Sequence, residues 1–170
     1  MTKISRKDFV SLEYFKDAEK DCAIPIGFGV TSSRPSTVNN LVQHLIKDCP
    51  SFDTVLEIGT GCGYQTAILS TLFKKVYSIE IIPELALRAD RTLKSLGYKN
   101  IDVICANVFA LPFNKQFNAI IAGTDLPYLP LDLKADVMVL PINGLLLKIT
   151  PNNPPQELPG RCGFSNARIK

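Results

Sequence analysis

The fold is decided by a stretch of nine residues, Val55-Leu56-Glu57-Ile58-Gly59-Thr60-Gly61-Cys62-Gly63. Its apolar first half ends in alternating glycines, and an apolar-periodic segment at residues 65–72 follows at once. This order predicts a buried strand, a tight turn and a helix. Glycines in such a turn let the backbone approach a ligand at the carboxyl edge of a parallel sheet, and the amino terminus of the helix favours negative charge.

Strands and helices alternate outward from this stretch. Pro83 can open a helix because its missing amide proton is not needed in the first turn, and Gly97 is the expected stop. Upstream, residues 38–46 predict an amphipathic helix with Ser36 or Thr37 as its cap. Further strands are predicted at residues 76–80, 101–104, 117–122 and 145–149, and a further helix at residues 131–139. The alternation indicates an α/β fold with a Rossmann-like, doubly wound, mostly parallel sheet.

The chain is predicted to form one structural domain in three segments. Its 170 residues, of which 46% are hydrophobic, are enough for a single core. Residues 1–50 precede the glycine-loop core at 51–150, and a tail at 151–170 follows. The tail begins with a proline-rich loop at 151–155 that no helix or central strand can cross. Its remainder has little periodicity, and we expect it to be poorly ordered.

Charge and cysteine usage are those of an ordinary protein of a reducing compartment. A formal net charge of +3, with 21% charged residues, is too small an excess to predict nucleic-acid binding. The five cysteines are odd in number and show no paired metal-ligand or redox spacing, so no metal site is predicted. Residues 1–10 lack the apolar stretch of a secretory signal, and no apolar run approaches the about 20 residues of a membrane-spanning helix. We expect a cytoplasmic protein with no nucleic-acid or membrane partner.

The spacing of the glycines favours a nucleoside ligand. A dinucleotide-binding fingerprint would place its third glycine at Tyr64, one residue later than Gly63. The alternative is a strand-to-helix turn without a ligand. Glu80 ends the next strand, where a carboxylate can accept both hydroxyl protons of a ribose; otherwise it is a solvated acid at a strand end. Residues 124–127 follow the fourth strand and either touch a substrate or form a simple turn.

These motifs resemble the class I S-adenosylmethionine-dependent methyltransferases and, more narrowly, the protein-L-isoaspartate O-methyltransferases. In that family the first strand and loop typically read V-L-E-I-G-T-G-x-G-Y, which residues 55–64 match almost letter for letter. A more specific match lies upstream, where the family reads P-I-G-x-G-Q-T-I-S-x-P. This chain has Pro25-Ile26-Gly27-Phe28-Gly29-Val30-Thr31-Ser32-Ser33-Arg34-Pro35. The resemblance runs from about Asp8 to residues 156–161, and Ser78-Ile79-Glu80 matches the ribose-binding strand end.

The resemblance implies a class I methyltransferase fold that lacks its last strands, with residues 1–50 covering the acceptor and the cofactor. It implies methyl transfer from S-adenosyl-L-methionine to the free carboxyl of L-isoaspartyl, and also D-aspartyl, residues in damaged proteins or peptides. This methylation starts protein repair through a succinimide. An α-carboxylate, with a pKa of about 3.5, is already an anion at neutral pH, so the reaction needs alignment rather than a strong base. We expect a monomer.

The resemblance also assigns site residues. The serine that lies beside the family's reacting centre falls on Ser33, which is the predicted catalytic residue, and Thr31 and Ser32 line the same pocket. Ser33 would orient or polarise the acceptor; the alternative is a turn or cap bond just before Pro35. The predicted cofactor-binding residues are Thr31, Ser32, Ser33, Glu57, Gly59, Gly61, Gly63, Glu80, Asn107 and Val108.

Three departures from the family pattern keep alternatives open. Val30 and Ser32 stand where the family usually has Gln and Ile. The family's G-D-G is replaced around Asn107, whose amide oxygen should bond the adenine amino group more weakly than a carboxylate does. The sequence also stops where the family usually continues through further strands. These features favour a truncated, weakly active or inactive cofactor-binding relative, or a class I methyltransferase with another acceptor.

Overall fold

A computed structural model describes residues 4–112, 115–130 and 132–159. Within these ranges the chain forms three α-helices, a two-stranded hairpin and a seven-stranded sheet. The helices are α1 (Pro35–Lys47), α2 (Tyr64–Ser70) and α3 (Pro83–Ser95). The strands are β1 (Ile24–Gly27), β2 (Val30–Ser32), β3 (Thr54–Ile58), β4 (Lys75–Glu80), β5 (Ile101–Cys105), β6 (Gln116–Ala122), β7 (Lys134–Ile142), β8 (Leu145–Thr150) and β9 (Asn153–Glu157). Short 3-10 helices lie at Arg6–Phe9, Leu12–Tyr14 and Val108–Ala110. None of the described helices combines the length and the apolar character needed to cross a membrane.

The large sheet is parallel over most of its width. Its strand order is β5-β4-β3-β6-β7-β8-β9, and the first five strands in this order run parallel. The last two, β8 and β9, are antiparallel to their inner neighbours. The chain runs outward from β3 through β4 to β5 and then crosses back to β6 on the other side of β3, so the strand order reverses between β3 and β6. Such a switch point opens a crevice at the carboxyl ends of the strands. The predicted α/β class with a mostly parallel sheet is confirmed.

Apolar side chains cover both faces of the sheet. Val55 of β3 belongs to a cluster with α1 and α2, in which Leu45 is fully buried. The next residue of β3, Leu56, faces a second cluster on the other side. Helix α3 packs beside β4 and β5 on the first face. The second face is covered by segments between strands, which contribute Val108 and Leu126. The three described α-helices therefore all lie on one face.

The main difference from the sequence prediction is β7. We predicted a helix at residues 131–139, but Lys134–Ile142 form a strand that pairs with β6 and β8. Val137 belongs to the cluster under α1, whereas Met138 and Leu140 belong to the cluster on the opposite face. A strand buried on both faces lacks polar alternation, and a short apolar run of this kind does not distinguish a strand from a helix.

A second difference concerns the predicted tail. Asn153–Glu157 form the edge strand β9, although we predicted a proline-rich loop at 151–155. Adjacent strand residues point their amides to opposite sides, so the open edge accommodates one of the two prolines, and the register shift between the pairs Lys148–Gln156 and Thr150–Asn153 accommodates the other. With β7 and β9 the sheet has seven strands, whereas we predicted five, so fewer strands are missing at this side of the sheet than we expected. Residues 160–170, where we expected poor order, lie outside the described residues.

The start of α1 is fixed by a residue that is distant in the sequence. The helix begins at Pro35, and its N-cap residue, Arg34, makes no side-chain cap bond. Instead, the Asp21 carboxylate accepts hydrogen bonds from the backbone N–H of Ser36 at 2.8 Å and from its hydroxyl at 2.7 Å. The prediction of Ser36 or Thr37 as the cap is therefore wrong. Ser36 lies in the first turn and supplies an amide that Asp21 satisfies.

Candidate functional site

The loop after β3 packs closely against two other elements and has left-handed backbone. Gly61 has a φ of 56° and Gly63 a φ of 92°. A Cβ atom on Gly61 would lie 3.3 Å from Ile26 Cδ1, and one on Gly63 would lie 3.3 Å from Leu93 Cδ1. Glycine meets both requirements at once, because it has no Cβ and adopts positive φ without strain. The loop is thereby held between β1 and α3 at the carboxyl edge of the sheet.

Glu80 is held beside this loop at the end of β4. Its Oε2 accepts a hydrogen bond from the N–H of Gly61 at 2.8 Å, and its Oε1 accepts one from the N–H of Ile82 at 3.0 Å. The residue is 6% exposed, so it is not a solvated acid at a strand end. Each carboxylate oxygen can accept more than one hydrogen bond, which leaves capacity for two further donors.

Glu57 lies beneath the loop and is completely buried. Gln65 Nε2 donates to its Oε1 at 3.0 Å, and the hydroxyls of Thr66 and Ser78 donate to its Oε2. Burial raises the pKa of the Glu57 carboxyl to about 7, although these three donors favour the ionised form. The Glu57 oxygens are thus bonded to side chains of α2 and β4, and its predicted contact with the cofactor stays a prediction.

Two adjoining cavities open at the carboxyl edge of the sheet. The larger has a volume of about 700 Å³ with its open mouth included, and is lined by Glu80, Asn107 and Val108, together with mainly apolar side chains. The smaller has a volume of about 380 Å³, again with its mouth included, and is lined by Ser32 and Ser33 among others. The residues that line both cavities are Thr31, Gly59, Gly61 and Gly123. Of the residues predicted for the cofactor, Glu57 and Gly63 line neither of these two cavities.

Ser33 lies between β2 and α1 and is half-buried. Among the described residues, none accepts a hydrogen bond from its hydroxyl or donates one to it. The cap of α1 is supplied by Asp21, so a capping role for Ser33 is not what the structure shows. Its backbone carbonyl accepts a bond of 2.9 Å from Arg6 Nη1. The side chain is therefore available at the wall of the smaller cavity, while the backbone is fixed.

Asn107 has a structural contact in addition to its place in the larger cavity. It is the N-cap of the 3-10 helix Val108–Ala110, and its Oδ1 accepts a hydrogen bond from the N–H of Phe109 at 2.9 Å. Asparagine and aspartate both cap helices well, so this contact suits either residue. Asn107, which stands where the family pattern has aspartate, therefore keeps the cap but removes a negative charge from the cavity wall.

Sequence reasoning missed several residues that line the larger cavity. Thr124 and Leu126, in the segment that we left open between a substrate contact and a turn, both line it. Between them, the Asp125 carboxylate accepts the N–H of Gly144 at 3.0 and 3.1 Å and ties this segment to the turn before β8. The position of Thr124 and Leu126 just after a parallel strand could have predicted that they line the cavity. Within the described ranges, no group of His, Cys, Asp and Glu side chains is placed to bind a metal ion.

Comparison with known proteins gives a consistent match. The family model for protein-L-isoaspartate(D-aspartate) O-methyltransferase matches residues 1–144. A protein-L-isoaspartate O-methyltransferase of Myxococcus xanthus is 35% identical over 159 residues, which cover 93% of this chain and 73% of the relative. Protein-L-isoaspartate O-methyltransferase 2 of Nitrosococcus oceani is 41% identical over 131 residues, which cover 76% of this chain and 59% of the relative. The chain thus spans about three fifths to three quarters of the length of these two relatives.

Solved structures agree on the fold. The crystal structure of a Plasmodium falciparum protein described as a protein-L-isoaspartate O-methyltransferase, in complex with S-adenosyl-L-homocysteine, superposes with a TM-score of 0.83 at 20% identity and covers 97% of this chain and 86% of that one. A second protein-L-isoaspartate O-methyltransferase structure gives a TM-score of 0.85 at 22% identity and covers 98% of this chain and 59% of that one. With its mostly parallel sheet, its glycine loop and the match over residues 1–144, this chain belongs to the protein-L-isoaspartate(D-aspartate) O-methyltransferase family.

Proposed function

We propose that this chain transfers a methyl group from S-adenosyl-L-methionine to the free carboxyl of L-isoaspartyl residues in damaged proteins. One observation carries the proposal. The hydroxyl of Ser33 has no partner among the described residues, and it lies at a cavity that shares Thr31, Gly59 and Gly61 with the cavity of Glu80. A cofactor in one cavity and an acceptor in the other would meet at these shared residues.

The larger cavity suits the nucleoside part of the cofactor. In this proposal the Glu80 oxygens accept the two hydroxyl protons of a ribose, and the adenine lies beside Asn107 and Val108, which line the same cavity. Gly59 and Gly61 bring backbone close to the shared wall, where the methionine part would lie. When bound, S-adenosyl-L-methionine supplies a methyl group on a cationic sulfur, and transfer forms a C–O bond as the S–C bond breaks and leaves S-adenosyl-L-homocysteine.

The protein's part in this reaction is alignment in a site of low polarity. The acceptor carboxylate is already ionised at neutral pH, so no base has to remove a proton. Ser33 would donate one hydrogen bond to the carboxylate oxygen that does not react and so hold the other in line with the methyl carbon. Transfer neutralises an anion and a cation, and the apolar walls around Ile58 and Leu126 favour that loss of charge.

One alternative has its own support. Asn107 lines the larger cavity where the family pattern has a carboxylate, so it removes a charge from that wall. This feature favours a relative that binds the cofactor but transfers its methyl group slowly or not at all. Cofactor binding without transfer would be the result that supports it.

The proposal includes a protein substrate, a cytoplasmic location and a monomeric state. Four cysteines within the described ranges are unpaired, which suits a reducing compartment. The net charge of +3 gives no electrostatic reason for a nucleic-acid partner. Sedimentation of the purified protein tests the monomer directly.

The experiment that tests the function compares two peptides that differ only in one linkage. The protein is incubated with methyl-labelled cofactor and a peptide that contains an L-isoaspartyl residue, or its twin with an ordinary aspartyl residue. We expect a base-labile methyl ester on the isoaspartyl peptide and at least tenfold less label on its twin, because only the first offers a free α-carboxyl at that residue. Equal labelling of both, or of neither, would contradict the proposed acceptor.

A further inference from the structure

Arg6 lies outside both cavities, yet its side chain is one of the most deeply buried in the described chain. It is 2% exposed, and its guanidinium group offers five N–H donors. All five donate to backbone carbonyls, at distances of 2.8 to 3.3 Å. The acceptors are the carbonyls of Asp17, Ala18, Lys20, Cys22 and Ser33. A buried cation is costly unless its donors are satisfied, and here each of them is.

These acceptors come from two separate parts of the chain. Four belong to the turn at residues 17–22, which precedes β1, and the fifth is Ser33, after β2. Arg6 Nη1 donates to the Cys22 carbonyl at 2.8 Å and to the Ser33 carbonyl at 2.9 Å. A single nitrogen therefore joins the turn to the residue whose side chain lines the smaller cavity.

The same turn holds the other end of the segment at residues 33–36. Asp21 binds the amide and hydroxyl of Ser36. These two bonds hold the pKa of the Asp21 carboxyl below its usual range, and the charges of Arg34 and Arg6 act in the same direction. Ser33 is thus held at its carbonyl by Arg6, and Ser36 is held by Asp21. The backbone is therefore held at both ends of the segment 33–36, which carries the Ser33 side chain.

We propose that Arg6 is a positioning residue for methyl transfer, which fixes the Ser33 hydroxyl against the acceptor carboxylate. This inference rests on the proposed function. Neither Arg6 nor any residue of the turn at 17–22 lines the larger cavity. Arg6 therefore acts on turnover and leaves the affinity for the cofactor unchanged.

Arg6→Lys is the variant that tests this role. An ammonium group has three donors on a single nitrogen, so it cannot reach five carbonyls arranged around a planar fork. We expect kcat for an isoaspartyl peptide to fall at least tenfold, with the Kd for S-adenosyl-L-homocysteine within twofold of the original. Because Arg6→Lys keeps the positive charge, a role that depends on charge alone predicts an unchanged kcat.

A matched control separates positioning from loss of stability. Leu45 is fully buried in α1 and lines neither cavity, so Leu45→Ala weakens the core without touching Ser33. Both variants are assayed at a temperature at which urea titration shows each to be folded. We expect Leu45→Ala to keep its kcat per folded molecule. If Arg6→Lys also keeps its kcat under these conditions, Arg6 is only a structural residue and the inference is overturned.

A second variant and a second readout cover the remaining outcomes. Arg6→Gln buries no charge and replaces Arg6→Lys if the latter does not fold. The amide nitrogen of Arg34 is bonded to the Ser33 carbonyl carbon, so its ¹⁵N resonance should shift when the Arg6 bond is lost. If the original protein methylates no isoaspartyl peptide, the proposed function fails. The link between Arg6 and Ser33 is tested separately, because an unshifted Arg34 resonance in either Arg6 variant would overturn it.

Discussion

Glu57 and Glu80 lie on neighbouring strands beside the same glycine loop, but they have different contacts. The oxygens of Glu80 accept two backbone N–H groups and still face the larger cavity. The oxygens of Glu57 accept only side-chain donors and are sealed from both cavities. Two residues of similar chemistry therefore have different surroundings: Glu80 faces the larger cavity, and Glu57 is bonded to side chains of α2 and β4. Each setting leads to a distinct measurement.

Glu80→Gln should weaken cofactor binding. The amide keeps the shape of the side chain but replaces one acceptor oxygen by a donor and removes the charge from the remaining bond. Hydrogen bonds to a charged group are worth about 1.5 to 3 kcal/mol, so we expect the Kd for S-adenosyl-L-homocysteine to rise at least tenfold by calorimetry. Glu84→Gln, an exposed residue in the first turn of α3, is the control. An unchanged Kd for Glu80→Gln would show that Glu80 does not bind the ribose.

Glu57 should make stability depend on pH in an unusual direction. Its pKa is raised from 4.5 to about 7, so between these values the folded protein holds a proton that the unfolded chain releases. The free energy of unfolding that is due to Glu57 therefore falls as pH rises through this window and is level above it. Relative to Glu57→Gln, which does not titrate, we expect the original protein to lose about 1 to 3 kcal/mol between pH 5 and pH 8 in urea titrations. A difference that grows with pH would show that the three donors outweigh burial.

At the scale of elements, the sequence predicted what local patterns determine. The strand, loop and helix around Gly61 follow from neighbouring residues, and the structure has them. The β7 strand was missed because its apolar residues serve two clusters, so the polar alternation that marks a half-buried strand is absent. The cap of α1 was missed because Asp21 is fifteen positions from Ser36. No local pattern reports a partner at that separation.

In the candidate site, too, the sequence predicted features that depend on neighbouring residues and missed contacts between distant ones. The glycines and the acid at the end of β4 were predicted at the carboxyl edge of the sheet and lie there, because position along a parallel strand determines it. The sealed state of Glu57 could not be recognised, because it depends on side chains from α2 and β4 that meet only in the folded chain. Arg6 gave no sequence signal either. Its five acceptors lie eleven to twenty-seven positions away.

Over the whole molecule, the sheet and the amino-terminal segment build the site together. The sheet supplies the glycine loop, Glu80 and the segment after β6, at the point where the strand order changes direction. The segment before α1 supplies Thr31 and Ser33 and closes the smaller cavity. Ser33 lines only the smaller cavity and Glu80 only the larger one, while Thr31 and the glycine loop line both. A change confined to the wall of the smaller cavity should alter the reaction without altering cofactor binding.

Ser33→Ala tests this division most directly, because Ser33 lines the smaller cavity and not the larger one. Its hydroxyl makes no hydrogen bond to a described residue, so we expect the free energy of unfolding to change by less than about 0.5 kcal/mol. Loss of a donor that acts in the transition state costs about 100-fold or more in rate. We therefore predict that kcat for an isoaspartyl peptide falls at least 100-fold while the Kd for S-adenosyl-L-homocysteine stays within twofold. A variant that melts several degrees earlier but methylates at the original rate would contradict the claim that Ser33 acts in the reaction.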